Sequence, residues 1–289
     1  MKTLLIIPAY NEQENIGALL DELDTQYAEY DYVVVNDCSK DRTKEILKER
    51  GAAYLDLPIN LGIGGGVQAG YMYALENGYD IAVQMDGDGQ HLPAYLKAIV
   101  APVENGEADF AVGSRFISRE GFQSSALRRF GIVFLSKWLQ LLAGVRVRDV
   151  TSGFRAVNRK GIALFADEYA QDYPEPEALI LGAMRGLRIT EVPVQMKERV
   201  GGTSSISGLK SIYYMIKVTI ALVVVRIFGK RGKVQNEHDT AHSPVNSTFS
   251  VFRRHFLLAQ KATAGASVYP FVDLFGYCDD ADRDFSGGV

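Results

Sequence analysis

Cysteine is almost missing from these 289 residues: Cys38 and Cys278 stand far apart and show no metal-ligand spacing. A disulfide scaffold and a thiolate metal centre are therefore excluded as organising devices, and a reducing compartment fits. Histidine is also scarce, four in all, and His238 and His242 fall near the carboxyl end. Positive charge is not in excess. The formal net charge is −4, and no Lys/Arg stripe is interleaved with aromatics, which argues against a nucleic-acid partner. Nor does the chain open on a long hydrophobic run. In MKTLLIIPAY the apolar stretch Leu4–Ile7 is ended by Pro8, which suits a first strand rather than a signal peptide. The most hydrophobic stretch, Ile212–Phe228, contains Lys217 and Arg226. As a helix it would reach ~26 Å at ~1.5 Å per residue, short of a ~30 Å hydrocarbon core. Two internal cations make crossing costly, so a helix lying at a membrane interface is expected.

What is present is a globular composition. Apolar residues make up 47% and charged residues 23%, enough for a real core in one large domain or two modest ones. The most informative stretch is residues 81–93, IAVQMDGDGQHLP. Alternating Ile81, Val83 and Met85 read as a strand, and Gly87 and Gly89 allow a sharp turn at its end. Asp86 and Asp88, one residue apart at a strand's carboxyl end, can share a hard divalent cation, Mg²⁺ or Mn²⁺, together with phosphate oxygens of a substrate. Gln90 adds a neutral oxygen. An acidic surface turn is the competing reading of these residues taken alone.

The first half alternates short strands with helices. Strands are expected at Leu4–Ile7, Tyr32–Val35, Tyr54–Leu57, Ile81–Met85 and Phe110–Val112, with helices at Glu14–Leu23, Thr43–Arg50, Gly66–Asn77 and Tyr95–Glu104. This pattern implies an α/β fold, a parallel sheet with helices on both faces. In such sheets the ligand lies beyond the carboxyl ends of the strands, where Pro8–Glu12, Asn36–Ser39 and Asp86–Gln90 all fall. Further on, Ser125–Ala143 reads as a helix, Thr151–Arg155 as a turn, Ile162–Phe165 as the start of a helix, Glu177–Gly186 as a helix and Ile189–Met196 as a strand. Asn60–Gly70, NLGIGGGVQAG, either cradles phosphate with backbone N–H groups or makes a turn that lets a helix pack closely. It is not a P-loop, because no Lys-Ser/Thr ends it.

A run of motifs in order carries a resemblance. They are Pro8-Ala9-Tyr10-Asn11-Glu12, Asn36-Asp37-Cys38-Ser39 with Asp41, Asn60-Leu61-Gly62, Asp86-Gly87-Asp88-Gly89-Gln90-His91, Gly113-Ser114-Arg115, Thr151-Ser152-Gly153-Phe154-Arg155, Glu177, and Arg199-Val200-Gly201-Gly202-Thr203-Ser204. With these the chain resembles family 2 glycosyltransferases of the GT-A (Rossmann-like) fold, in the branch of dolichyl- and polyprenyl-phosphate sugar transferases. The likeness runs over about residues 1–205 and more weakly to Lys233.

The resemblance implies a nucleotide-sugar donor, a UDP- or GDP-sugar, held by Pro8, Tyr10, Glu12, Asp37 and Asp86. It implies Mg²⁺ or Mn²⁺ on Asp86, Asp88 and Gln90, with Asp88, Arg115 and Glu177 as catalytic candidates. Arg115, Arg128, Arg129, Arg199 and Ser204 match the family's contacts to an acceptor phosphate. Three departures stand out. Asn36 replaces the family's first Asp, and Cys38 replaces a Gly, so a left-handed turn at Cys38 would be strained. Ile132 stands where relatives often carry a hydroxyl. The implied reaction is an inverting transfer of sugar to a polyprenyl phosphate at the cytoplasmic face of the membrane. An acceptor phosphate is already anionic and needs no strong general base, in keeping with the scarcity of histidine.

The expected layout is a catalytic domain over 1–205, an amphipathic membrane-associated helix over 206–233, and a tail over 234–289 to which no function is assigned. Tyr213 and Tyr214 suit the headgroup zone, and Arg226, Lys230, Arg231 and Lys233 suit anionic lipid. The other expectations are an ordinary packed carboxyl-terminal helix, or one that docks on a small membrane protein. Three rivals stand beside the main reading. The first is transfer to a polysaccharide hydroxyl, with Glu177 as base. The second is a non-catalytic nucleotide-sugar-binding scaffold. The third is a nucleotidyltransferase, which would carry a Gly-rich basic loop where this chain has PAYNE.

Overall fold

The computed structural model describes residues 1–117, 126–197 and 209–229. Its strands are β1 (Thr3–Ala9), β2 (Asp31–Asn36), β3 (Tyr54–Asp56), β4 (Ile81–Gln84), β5 (Phe110–Ser114), β6 (Arg155–Asn158) and β7 (Ile189–Pro193). They form one seven-stranded sheet in the order β3-β2-β1-β4-β6-β5-β7. β1 pairs in parallel with both β2 and β4, β2 with β3, and β5 with β7; β6 alone runs antiparallel, between β4 and β5. The mostly parallel sheet follows from the strand–helix alternation, since each crossover carries a helix to one face.

The helices are α1 (Ile16–Gln26), α2 (Thr43–Glu49), α3 (Gly62–Glu76), α4 (Leu96–Glu104), α5 (Ala126–Ala143), α6 (Arg159–Asp167), α7 (Pro174–Met184) and α8 (Leu209–Phe228). Alternate residues of β1 feed two cores. Leu4 and Ile6 pack with α3, α5, α6, α7 and α8, whereas Leu5 and Ile7 pack with α1, α2 and α4. Helix α1 shows why the spacing worked: Ile16, Leu19, Leu20 and Leu23 are its buried residues. Helix α6 begins where the Asn158 side chain accepts the N–H groups of Lys160 and Gly161, a side-chain N-cap.

Some boundaries differ from expectation for physical reasons. β6 begins at Arg155, inside the expected turn Thr151–Arg155, and no strand is read there from the sequence because the buried arginine breaks the apolar alternation. Helix α7 starts at Pro174, earlier than Glu177, since proline is tolerated in a first turn. Helix α3 starts at Gly62, four residues before the expected Gly66. A Cβ on Gly64 would collide with the Ala170 carbonyl, and one on Gly65 would lie 2.5 Å from Leu61 Cβ and 3.1 Å from Gln171 Oε1. Close packing on residues 170–171 accounts for Gly64, and packing on Leu61 together with Gln171 for Gly65. Helix α8 packs on α5 and α7. Among the described residues no helix is long and apolar enough to cross a membrane. The expected boundary at 205/206 and the tail 234–289 lie outside the described residues.

Candidate active site

The carboxyl end of β1 joins the three polar clusters. Its Ala9 carbonyl accepts the Asp37 N–H at 2.9 Å, and its Pro8 carbonyl accepts the Gly87 N–H at 3.3 Å. Residues from β1, β2 and β4 are thus held at one edge, as parallel pairing requires. A Cβ on Gly87 would stand 3.1 Å from the Pro8 oxygen, so any larger residue there would push the aspartate turn slightly away from β1.

On the β1–β2 side, Pro8 is buried and Tyr10 is exposed. Glu12 is buried; its N–H donates to Thr43 Oγ1 at 2.9 Å and its carboxylate accepts from Asn15 Nδ2 at 2.9 Å. Asp37 is buried and accepts the Leu61 N–H through Oδ1 at 2.7 Å. Burial raises its pKa above the ordinary carboxylate value, and the N–H groups of Leu61 and Gly62 oppose that rise. Cys38 does take the left-handed conformation, φ 57°, as does Asn11 at φ 56°. The two turns are laced together: Asn11 N–H donates to Ser39 Oγ, and Lys40 N–H donates to Asn11 Oδ1. Asn36 donates to Asp56 Oδ1 at 2.7 Å, an arrangement that an aspartate at 36 would turn into carboxylate facing carboxylate.

On the β4 side, Asp86 and Asp88 occupy the turn after the strand, Asp86 half-buried and Asp88 buried. Asp88 Oδ1 accepts the Gln90 N–H at 3.0 Å, and the Gln90 carbonyl accepts the Lys197 N–H. His91 is buried, stacks on Phe154 at 5.1 Å, and accepts the Asp86 N–H at Nδ1 at 2.9 Å. Burial depresses its pKa, so the imidazole is neutral with its proton on Nε2. It braces the aspartate turn from below. Two carboxylates, a hard-oxygen set, at a glycine-kinked strand end fit a divalent cation that also takes diphosphate oxygens. Among the described residues no group of three or more His, Cys, Asp or Glu could hold a metal unaided. The donor's phosphates would have to complete the shell.

Arg115, just past β5, is buried. Its Nε and Nη2 both bond the Asp149 carboxylate at 2.7 Å, its N–H donates to Asp149 Oδ2 at 3.1 Å, and Nη2 also reaches Thr151 Oγ1 at 3.1 Å. Asp149, fully buried, is the partner that sequence reasoning missed; a lone acidic residue in Val147-Arg148-Asp149-Val150 was the available signal. The Glu191 carboxylate of β7 in turn accepts the N–H groups of Arg148 and Asp149. Arg128 and Arg129 lie in α5, Arg129 exposed, and Ile132 is in the core. Glu177 lies in the first turn of α7, where burial, with Asp172 adding repulsion, raises its pKa to about 7. Arg199 and Ser204 lie outside the described residues.

The model of the Glycosyl transferase family 2 family matches residues 4–164. A UDP-N-acetylglucosamine–dolichyl-phosphate N-acetylglucosaminyltransferase of Methanococcus voltae is 31% identical over 245 residues, 76% of this chain and 97% of the relative. An undecaprenyl-phosphate mannosyltransferase of Micrococcus luteus is 33% identical, covering 72% of this chain and 88% of the relative. Among solved structures, glucosyl-3-phosphoglycerate synthase from Mycobacterium tuberculosis in complex with Mn²⁺, UDP and glucosyl-3-phosphoglycerate superposes with a TM-score of 0.56 at 19% identity. That likeness covers 78% of this chain and 79% of the other, and it concerns the fold.

Proposed function

Because this chain belongs to glycosyl transferase family 2, we propose that it moves a sugar, with inversion, from a nucleotide-sugar to a polyprenyl phosphate at the cytoplasmic membrane surface. The observation that carries the reading is the convergence of Asp37, Asp86 and Asp88 on the carboxyl end of β1 through the Ala9 and Pro8 carbonyls. Relatives named for polyprenyl-phosphate acceptors, and neighbours crystallised with Mn²⁺ or Mg²⁺ and UDP, support it. Pro8, Tyr10, Glu12 and Asp37 take the nucleoside, whose hydroxyls and base N–H groups carboxylates accept well. Asp86 and Asp88, with Gln90, would hold Mg²⁺ or Mn²⁺, which when bound supplies Lewis-acid stabilisation to the departing diphosphate.

The acceptor oxygen attacks the anomeric carbon from the face opposite the leaving diphosphate; the new C–O bond forms as the old one breaks. An anionic phosphate oxygen needs no proton removed, so orientation dominates. Arg115, with Arg128, Arg129, Arg199 and Ser204, is assigned to the acceptor phosphate. The bidentate grip of Asp149 fixes the plane of the Arg115 guanidinium and lowers its entropic cost of binding.

Two helices support membrane contact. Phe130, Val133, Phe134 and Leu141 of α5 are exposed, as are Ile216, Ile220, Val224, Ile227 and Phe228 of α8. Trp138 Nε1 donates to the Thr219 carbonyl, and Arg226 Nε donates to the Leu142 carbonyl, so the two helices are tied together. Arg226, expected on lipid, thus serves the end of α5; Lys230, Arg231 and Lys233 lie outside the described residues.

The test is incubation with radiolabelled UDP- and GDP-sugars and polyprenyl phosphate in Mn²⁺ or Mg²⁺, followed by butanol extraction. Label is expected in the organic phase. Label that stays aqueous across the whole panel would defeat the lipid acceptor. Asp88→Ala is expected to cost roughly 10²–10³-fold in turnover with an unaltered melting temperature; undiminished turnover would defeat the cation assignment.

A further inference from the structure

A cluster of buried polar side chains lies inside the apolar layer between the sheet and α3. Gln84 and Arg155 face each other across the β4–β6 ladder, and each is 1% exposed. Arg155 donates through Nε to the Ser152 carbonyl at 2.6 Å and through Nη2 to the Glu175 carbonyl at 2.7 Å, and it stands over the Phe110 ring. Its Nη1 is buried without a hydrogen-bond partner. Among the described residues no carboxylate lies within ion-pair distance of it. Tyr169 Oη donates to Gln84 Oε1 at 3.2 Å, which leaves Gln84 Nε2 buried without a partner. The Tyr71 ring packs on Tyr169 at 5.6 Å, and its hydroxyl is likewise buried without a partner.

Orphaned buried donors around a buried cation are too costly to leave unsatisfied, and they suit a small guest with lone pairs. Water answers this geometry. It accepts from Arg155 Nη1 and Gln84 Nε2 and donates to Tyr71 Oη, within the two to four polar partners an internal water needs. The cluster also adjoins the aspartate turn. A Cβ on Gly153 would stand 3.0 and 3.2 Å from the Asp86 carboxylate oxygens and 3.4 Å from Gln84 Nε2, so carboxylate and amide meet across one bare Cα. The Tyr169 hydroxyl senses both charges: burial and Tyr71 raise its pKa, Arg155 opposes the rise and Asp86 adds to it.

We propose that Tyr71, Gln84 and Arg155 hold an internal water, and that this hydrated cation forms the wall behind Asp86, making Arg155 a positioning residue for that carboxylate. Charge acts over long distances in so dry an interior. The inference rests on Asp86 being a cation ligand, as proposed above.

A high-resolution crystal structure of the wild type is expected to show water bonded to Arg155 Nη1 and Gln84 Nε2; side chains paired with one another instead would overturn the water site. Calorimetry then compares UDP and GDP binding, with and without Mn²⁺, in wild type, Arg155→Met and Gln84→Glu. Methionine removes a buried unpaired ion but leaves the Ser152 and Glu175 carbonyls without their donor, so the melting temperature should fall by a few degrees while Mn²⁺-dependent nucleotide binding weakens roughly 10–100-fold and metal-free binding stays unchanged. Gln84→Glu should pair with Arg155, hold or raise the melting temperature, and weaken the same binding by diverting the charge. A folded Arg155→Met protein that binds like wild type overturns the positioning role. Should that variant not fold, a folded Gln84→Glu protein that binds like wild type does so. Wild-type protein without Mn²⁺-dependent nucleotide binding would overturn the proposed function as well, whereas wild-type binding with unaltered variants overturns this inference alone.

Discussion

Arg115 and Asp149 form a buried pair in which each partner answers most of the other's hydrogen-bonding need. Removing one member leaves an uncompensated charge in the interior. Asp149→Ala is therefore expected to destabilise by roughly 3–5 kcal/mol, measured as a lowered urea midpoint; an unchanged midpoint would mean that the pair is not buried as described. Glu177 offers a second handle. Its folded pKa of about 7 lies above the ordinary glutamate value, so the folded state holds the proton more tightly than the unfolded state. The group is neutral to stability below about pH 4.5, near its unfolded pKa, and costs stability increasingly as pH rises through 7. Glu177→Gln should match wild type in melting temperature near pH 4 and exceed it by pH 8. The same variant separates two acceptors. An anionic phosphate acceptor predicts that Glu177→Gln retains most turnover; a hydroxyl acceptor predicts its loss together with the alkaline rise in rate.

At the scale of the element, α3 shows how a glycine run can carry a packing role. Gly64 and Gly65 lie against Ala170 and Gln171, and Gln171 Nε2 also bonds Gln68 Oε1 at 3.0 Å. This latch joins the helix after β3 to the segment before α7. Gly64→Ala would drive a methyl into a backbone carbonyl and is expected to cost about 1–3 kcal/mol, seen as a lowered thermal midpoint. Unchanged stability would show that residues 170–171 yield freely. Asn60–Gly70 reads equally well as a phosphate cradle or as a close-packed turn, and the segment that Gly64 packs on lies a hundred residues further along the chain. β6 was hidden for a related reason: a four-residue strand carrying Arg155 inward has no apolar alternation to read.

For the whole molecule, the exposed apolar residues of α5 and α8 are the ones that the proposed lipid contact would use. Co-sedimentation with anionic phospholipid vesicles should retain the wild type. Phe134→Glu combined with Ile220→Glu should reduce retention at least ten-fold, an effect of the order expected for losing about 1.4 kcal/mol or more of interfacial burial. Nucleotide binding should be untouched by these changes. Equal retention would remove these helices from the membrane reading and favour a protein partner on the same face.

Local chemistry alone determined much of this protein. Alternating strands and helices, and turn-forming residues at strand ends, specify a mostly parallel sheet with a polar edge, where the site is proposed; the placing of Asp37, Asp86 and Asp88 at that edge was legible because chain order puts them at strand ends. Only the tertiary structure decided which partners those groups meet. Asp149 on Arg115, Gln171 on the α3 glycines and Arg155 opposite Gln84 are contacts between segments distant in the chain or on opposed strands. The reason is physical: periodicity and propensity act over a few residues, whereas hydrogen bonding and charge in a dry interior depend on which surfaces the fold presses together.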